Sequence, residues 1–161
     1  MLALSLGLWL AGARFNMTRS MPRGLYWRVD KPIERGDYVD FCPEPAPAFE
    51  LARRRGYLGV GFCPGRYERL LKRVAGMPGD LVEFAADGVR VDGRLLPSSR
   101  PLPRDPSGRP LPVWPFGRRR LGPQELLFMS DVSALSFDAR YFGPQDRAGV
   151  RDVLRPVWTW R

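Results

Sequence analysis

Lys31 and Lys72 are the only side chains in this sequence with a nitrogen that can shed its proton near neutrality. Histidine is absent, and every other basic residue among the 26 is arginine. Arginine stays charged at any workable pH, whereas a desolvated lysine can act as a base. A Ser-His-Asp triad, a Cys-His pair and a histidine-ligated metal are therefore excluded. Lys72 lies in the stretch Leu70 to Asp80, LLKRVAGMPGD. Neutralising an ordinary lysine at pH 7 costs about 4–5 kcal/mol, so base chemistry requires burial that lowers its pKa by about 3 units. Leu70 and Leu71 before it and Val74 and Ala75 after it suit a strand that turns Lys72 inward. The plainer reading is a surface lysine whose stem lies along apolar surface with a solvated tip.

A nucleophile for such a base is available in Asn16 to Tyr26, NMTRSMPRGLY. Ser20 there precedes Met21-Pro22, and proline fixes the local backbone enough to hold a serine rigidly. On its own this is an ordinary polar loop. A third segment, Ser130 to Pro144, is dense in hydroxyls and carboxylates. It reads plainly as a turn in which Asp and Ser cap backbone groups. Functionally, a hydroxyl there would orient the lysine, and Asp138 would pair with Arg140 or another base.

The elements that must position these residues read as short strands. With 17 glycines and 17 prolines a helical bundle is disfavoured, and one mostly β domain with a bent antiparallel sheet or barrel-like core is expected. Leu25 to Val29, Tyr38 to Phe41, Leu81 to Phe84, Val89 to Val91, Leu95-Leu96, Glu125 to Met129 and Val153 to Trp160 are the expected strands. Asp87-Gly88 and Asp92-Gly93 are hairpin-turn signals. Ala48 to Arg55 reads as a short helix ended by Gly56, and Pro97 to Pro115 as a long surface excursion.

Met1 to Ala13 is uncharged and mostly apolar. As a helix it would span roughly 20 Å, short of the hydrocarbon core at roughly 30 Å. It reads first as the end of a membrane anchor whose beginning lies upstream, then as a signal-peptide core, then as a buried segment. The formal charge of +9 comes from arginines scattered along the chain, without an RNA-binding aromatic signature. Nucleic acid is not an expected partner. Cys42 and Cys63 are too few for a zinc site, which leaves reactive thiols, buried thiols or a disulfide.

Three ordered motifs now stand together: N-x-T-x-S-M-P-x-G-L-Y at Asn16–Tyr26, L-K-R-V-x-G-x-P-G-D at Leu71–Asp80 and S-F-D-x-R-Y-F-G-P at Ser136–Pro144. In this order the chain resembles the type I signal peptidases, membrane-bound serine proteases with a Ser/Lys dyad. Within them it is most similar to the conjugative transfer (TraF-type) branch, which matures pilin precursors. The likeness runs from Ala11 to Trp160. It implies a signal-peptidase fold with a short N-terminal apolar helix, Ser20 as nucleophile and Lys72 as general base. It implies Ser136 as the hydroxyl that orients the lysine, and Asp138 as a supporting carboxylate with Arg140 beside it. Thr18 and the Ser20 backbone N–H would form the oxyanion hole, and Cys42 and Cys63 a disulfide outside the membrane.

The same likeness implies an anchor at residues 1–13 in the bacterial inner membrane and a periplasmic protease domain at residues 14–161. It implies no cofactor or metal. The substrate would be a precursor protein, a pilin, bound as an extended strand and then hydrolysed or cyclised. Two other classes compete. A self-cleaving Ser/Lys repressor needs a DNA-binding domain that is not visible, and a non-catalytic periplasmic scaffold of a conjugation apparatus does not account for the three motifs.

Overall fold

The computed structural model describes residue 7 and residues 9–160. Two antiparallel sheets make up most of it. In chain order the strands are β1 (Ala13–Asn16), β2 (Arg23–Val29), β3 (Tyr38–Phe41), β4 (Leu70–Gly76), β5 (Leu81–Ala85) and β6 (Gly88–Val91). They continue as β7 (Arg94–Leu95), β8 (Gly117–Arg120), β9 (Glu125–Met129), β10 (Gln145–Asp146) and β11 (Val150–Trp160). The larger sheet has the order β1-β2-β11-β3-β4-β9-β10, and the smaller one β7-β6-β5-β8. Helix α1 (Pro47–Arg54) packs Phe49 and Ala52 onto the larger sheet's core, and a single turn, α2 (Ala139–Phe142), follows β9.

The mostly β, antiparallel reading holds, but nothing closes into a barrel. Edges remain at β1 and β10 in one sheet and at β7 and β8 in the other. Curvature comes instead from register breaks, in β4 between Val74 and Gly76 and in β11 between Val150 and Asp152 and between Pro156 and Trp158. Such bulges bend a sheet and sharpen its twist without joining its edges. Gly24 permits one close approach in the bend: at φ +140°, its absent Cβ would lie 2.1 Å from the Trp158 carbonyl oxygen.

Local chemistry explains most elements. The β6–β7 hairpin turns on Asp92 (φ 50°) and Gly93 (φ 81°), both left-handed as a two-residue I′ turn requires. Helix α1 begins with Pro47 in its first turn and ends before Gly56 at φ 75°. The excursion from Pro97 to Pro115 carries only an isolated bridge between Arg104 and Pro110. In β4, burial alternates strictly, so Leu70, Lys72, Val74 and Gly76 all face inward. An aromatic cluster lies beneath, with Phe41 stacked on Phe128 at 4.3 Å and Phe49 against Phe142 at 4.9 Å.

Most of the apolar N-terminal segment lies outside the described residues. Residues 9–11 are helical and turn at Gly12 into β1. No helix among the described residues is long and apolar enough to cross a membrane.

Cys42, at the end of β3, is disulfide-bonded to Cys63, which precedes β4; the separation is 21 residues. This ties the strand that carries Lys72 to its neighbour. Loop-closure entropy makes such a bridge worth about 3 kcal/mol. The Cys42→Ala/Cys63→Ala double variant should lose stability of that order in urea unfolding, and reductant should lower the midpoint of the native chain alone. Equal stability of the two proteins would contradict this.

Candidate active site

The turn between β1 and β2 brings Ser20 over β4, and Lys72 Nζ lies 3.2 Å from Ser20 Oγ. A second bond runs from Nζ to the carbonyl of Leu71 at 3.2 Å. Lys72 is 2% exposed, held between Leu70 and Val74 on the inner face of β4. Burial pushes its pKa down to about 8, opposed by Asp138 and helped by Arg140, with Glu68 again raising it. Lys31 makes the contrast. Its ammonium sits at the surface, 2.7 Å from Glu34 and 3.0 Å from Asp37, and those carboxylates raise its pKa.

Asp138 and Arg140 are fully enclosed, paired at 2.7 Å through Nε and 2.8 Å through a second guanidinium nitrogen. Neither hydrogen-bonds to Ser20 or Lys72. Asp138 accepts from the backbone N–H of Ser130 at 3.2 Å and caps α2, while Ser130 Oγ donates to the carbonyl of Ser20. Arg140 donates to the carbonyls of Ser98, Arg100, Ala134 and Ser136 at 2.9–3.0 Å. One buried ion pair thus fixes the Ser133–Ser136 wall, the start of the excursion and, through Ser130, the peptide of Ser20. A buried pair with every donor matched to an acceptor is the arrangement that offsets its desolvation.

Thr18 Oγ1 stands 3.1 Å from Ser20 Oγ and 2.8 Å from Asn16 Oδ1. The backbone N–H of Ser20, a residue that lines the cleft, makes no hydrogen bond to any described residue. Ser136 lies in the same cleft and is 2% exposed, but its hydroxyl has no hydrogen-bond partner among the described residues and makes no bond to Lys72. The expected role of Ser136 as the lysine's orienting hydroxyl is therefore not expressed as a contact here. Leu71's carbonyl and Ser20 take that place.

Three positioning residues were not assigned from the sequence. Asn16 is 6% exposed and spans the turn, Ser130 grips the Ser20 carbonyl, and buried Tyr26 donates to the Pro22 carbonyl at 2.6 Å. Each stands inside a segment already notable for its residues, but a side chain that grips a local carbonyl leaves no spacing signal.

The cleft around Ser20 and Lys72 has a volume of about 1110 Å³ and is walled by apolar residues that include Phe15, Tyr57, Leu102 and Phe137. Among the described residues, no group of three or more acidic or cysteine side chains is placed to hold a metal ion. The arrangement is suited to acyl transfer: a hydroxyl, an adjacent nitrogen of lowered pKa and a backbone N–H without a partner among the described residues, with the Thr18 hydroxyl close by.

Comparison with known proteins points to a peptidase family. The family model described as signal peptidase, peptidase S26, matches residues 5–159. A plasmid transfer protein TraF from Escherichia coli is 52% identical over 159 residues, covering 99% of this chain and 89% of its own length. A conjugal transfer protein TraF from Agrobacterium tumefaciens (strain 15955) is 39% identical over 161 residues, covering 98% and 89%. A signal peptidase I from Enterococcus faecalis V583 overlays on 78% of this chain and 98% of its own, with 20% identity and a TM-score of 0.44, too slight a likeness to add to the family match. With residues 5–159 matched by that model and 98–99% of the chain covered by these transfer proteins, the chain belongs to the signal peptidase family, peptidase S26, in its TraF-type conjugal transfer branch.

Proposed function

We propose that this peptidase is a Ser/Lys serine endopeptidase that cuts an exported precursor, a conjugative pilin, at the inner membrane with its catalytic domain in the periplasm. The observation that carries the dyad is Lys72 Nζ, buried and 3.2 Å from Ser20 Oγ. The Cys42–Cys63 disulfide supports an oxidising compartment, and the apolar start of the chain supports membrane attachment through residues 1–13.

Neutral Lys72 takes the Ser20 proton as Oγ attacks the scissile carbonyl carbon, forming the C–O bond and a tetrahedral oxyanion. The Ser20 N–H and the Thr18 hydroxyl stabilise that oxygen; one such donor is worth roughly 3–4 kcal/mol. As the C–N bond breaks, Lys72 returns the proton to the departing amine, leaving a Ser20 ester. Water then releases an acid, or the substrate's own terminal amine closes a ring. Mass spectrometry separates the two products, since the cyclic one is lighter by one water. The substrate enters as an extended strand along the cleft, with apolar walls holding its side chains.

The dyad makes distinct demands on variants. A fluorescent penem should acylate the native protein and fail to label Ser20→Ala, and Lys72→Arg should lose at least about 10³-fold in rate because arginine supplies no neutral base. The acylation rate should rise with pH and level off above about 8, where Lys72 is mostly neutral. Undiminished labelling of Lys72→Arg would refute the assignment.

Stability supplies a second prediction of definite sign. The folded pKa of Lys72, about 8, lies below its unfolded value. Below pH 8 both states hold the proton, so the fold bears the whole cost of a buried ammonium, about 3 kcal/mol. As pH rises from the folded towards the unfolded pKa, the native state releases its proton first and that cost fades. Lys72→Met should therefore be more stable than the native chain at pH 6 by about 2–3 kcal/mol, and the gain should shrink at pH 10. An equal gain at both pH values, read by urea unfolding, would contradict the linkage.

A further inference from the structure

Asn16 ends β1 four residues before the nucleophile, and its carboxamide is buried inside the turn it precedes. The amide nitrogen faces three carbonyl oxygens: Pro22 at 3.0 Å, Met21 at 3.2 Å and Thr18 at 3.3 Å. Carbonyls only accept, so the group's orientation is fixed by its surroundings. Its oxygen must then point at Thr18, where it receives the backbone N–H at 3.0 Å and the hydroxyl at 2.8 Å.

Proton counting makes this more than a brace. A threonine hydroxyl has a single proton, and Asn16 Oδ1 cannot donate. Thr18 therefore gives its proton to Asn16 and presents a lone pair to Ser20 Oγ, 3.1 Å away. At rest, the Ser20 hydroxyl proton goes to Thr18 while charged Lys72 donates to Ser20 Oγ. When Lys72 loses its proton, its lone pair competes for the Ser20 hydrogen and the Thr18 acceptor is released. The Thr18 hydroxyl can then swing to the oxyanion, and Asn16 Oδ1 is not stranded because the Thr18 backbone N–H still occupies it.

We propose that Asn16 is a positioning residue for acyl transfer: by gripping the Thr18, Met21 and Pro22 carbonyls and the Thr18 backbone N–H it holds the 18–22 turn, so that the Thr18 hydroxyl, once it leaves Asn16 Oδ1, and the Ser20 N–H converge on the oxyanion. The proposal rests on the Ser20/Lys72 reading given above. It differs from a purely structural role in one respect. Asn16 acts on the transition state through Thr18, not on probe binding and not on the lysine.

A double-mutant cycle with the fluorescent penem tests it, measuring the maximal acylation rate and the half-saturating concentration separately. Asn16→Ala and Thr18→Val should each lower the maximal rate about 10²-fold with half-saturation changed by less than about three-fold. The inflection near pH 8 should stay in place in both. The double variant should be no slower than the slower single variant by more than about three-fold, because both substitutions remove one interaction. Should Asn16→Ala not fold, Asn16→Asp serves in its place: it keeps the volume but turns an oxygen towards three carbonyls, and the same rate loss is expected. Losses that multiply to about 10⁴-fold, a change in half-saturation in place of rate, or a native rate in the Asn16 variants would overturn the proposal. Ser20→Ala separates the two levels of failure. If it is still labelled, the dyad reading falls and Asn16 with it; if it is unlabelled while the Asn16 variants react at the native rate, the Asn16 assignment falls alone.

Discussion

An ammonium taken out of water beside a serine hydroxyl is the constraint on which the rest of this structure depends. A buried lysine opposes folding near neutrality, and its lowered pKa is that opposition expressed as a proton equilibrium. Lys72 has apolar neighbours along its strand and no carboxylate in contact. Asp138 raises its pKa from a distance, while Arg140 cancels part of that effect. A carboxylate bonded directly to Nζ would hold the charge in place and remove the base. The buried acid is instead committed to Arg140 and Ser130.

The fold can be understood as the means of bringing two distant strands to that point. In the larger sheet, β11 and β3 separate β2 from β4, yet the β1–β2 turn carries Ser20 across them to within 3.2 Å of Lys72. The register breaks in β11 and β4 and the close packing at Gly24 produce the bend. Beneath it, Arg140 gathers carbonyls from two segments into one rigid wall. A site held by such supporting bonds keeps its shape when a ligand displaces water.

Elements with a strong local signal were readable from sequence. Glu125–Met129 is a strand, α1 fell within one residue of its expected span, and Asp92-Gly93 makes the expected turn. The strand β8 was not readable, because Gly117–Arg120 is exposed throughout and has no apolar face; its pairing with β5 and its ion pair to Glu83 define it. Of the two shapes expected, a bent sheet or a barrel-like core, the open sheet is the one found; short alternating strands fix curvature poorly, and closure depends on edges far apart in sequence. In the site, Ser20 and Lys72 stood out by residue type. Asn16 and Ser130 did not, since their roles are set by which carbonyls fold back onto them. The Ser136 hydroxyl marks the opposite failure: a motif position that makes no contact with the lysine here.

The scarcity of lysine that singles out Lys72 also makes its protonation state directly measurable. With two lysines in the chain, selective ¹³Cε labelling gives two NMR signals, and Lys31→Arg identifies them. Surface Lys31, held by Glu34 and Asp37, should titrate above the usual lysine range, and Lys72 should titrate near 8. Titration of both signals above about pH 10 would leave Lys72 charged at neutrality and contradict the account of a buried base beside Ser20.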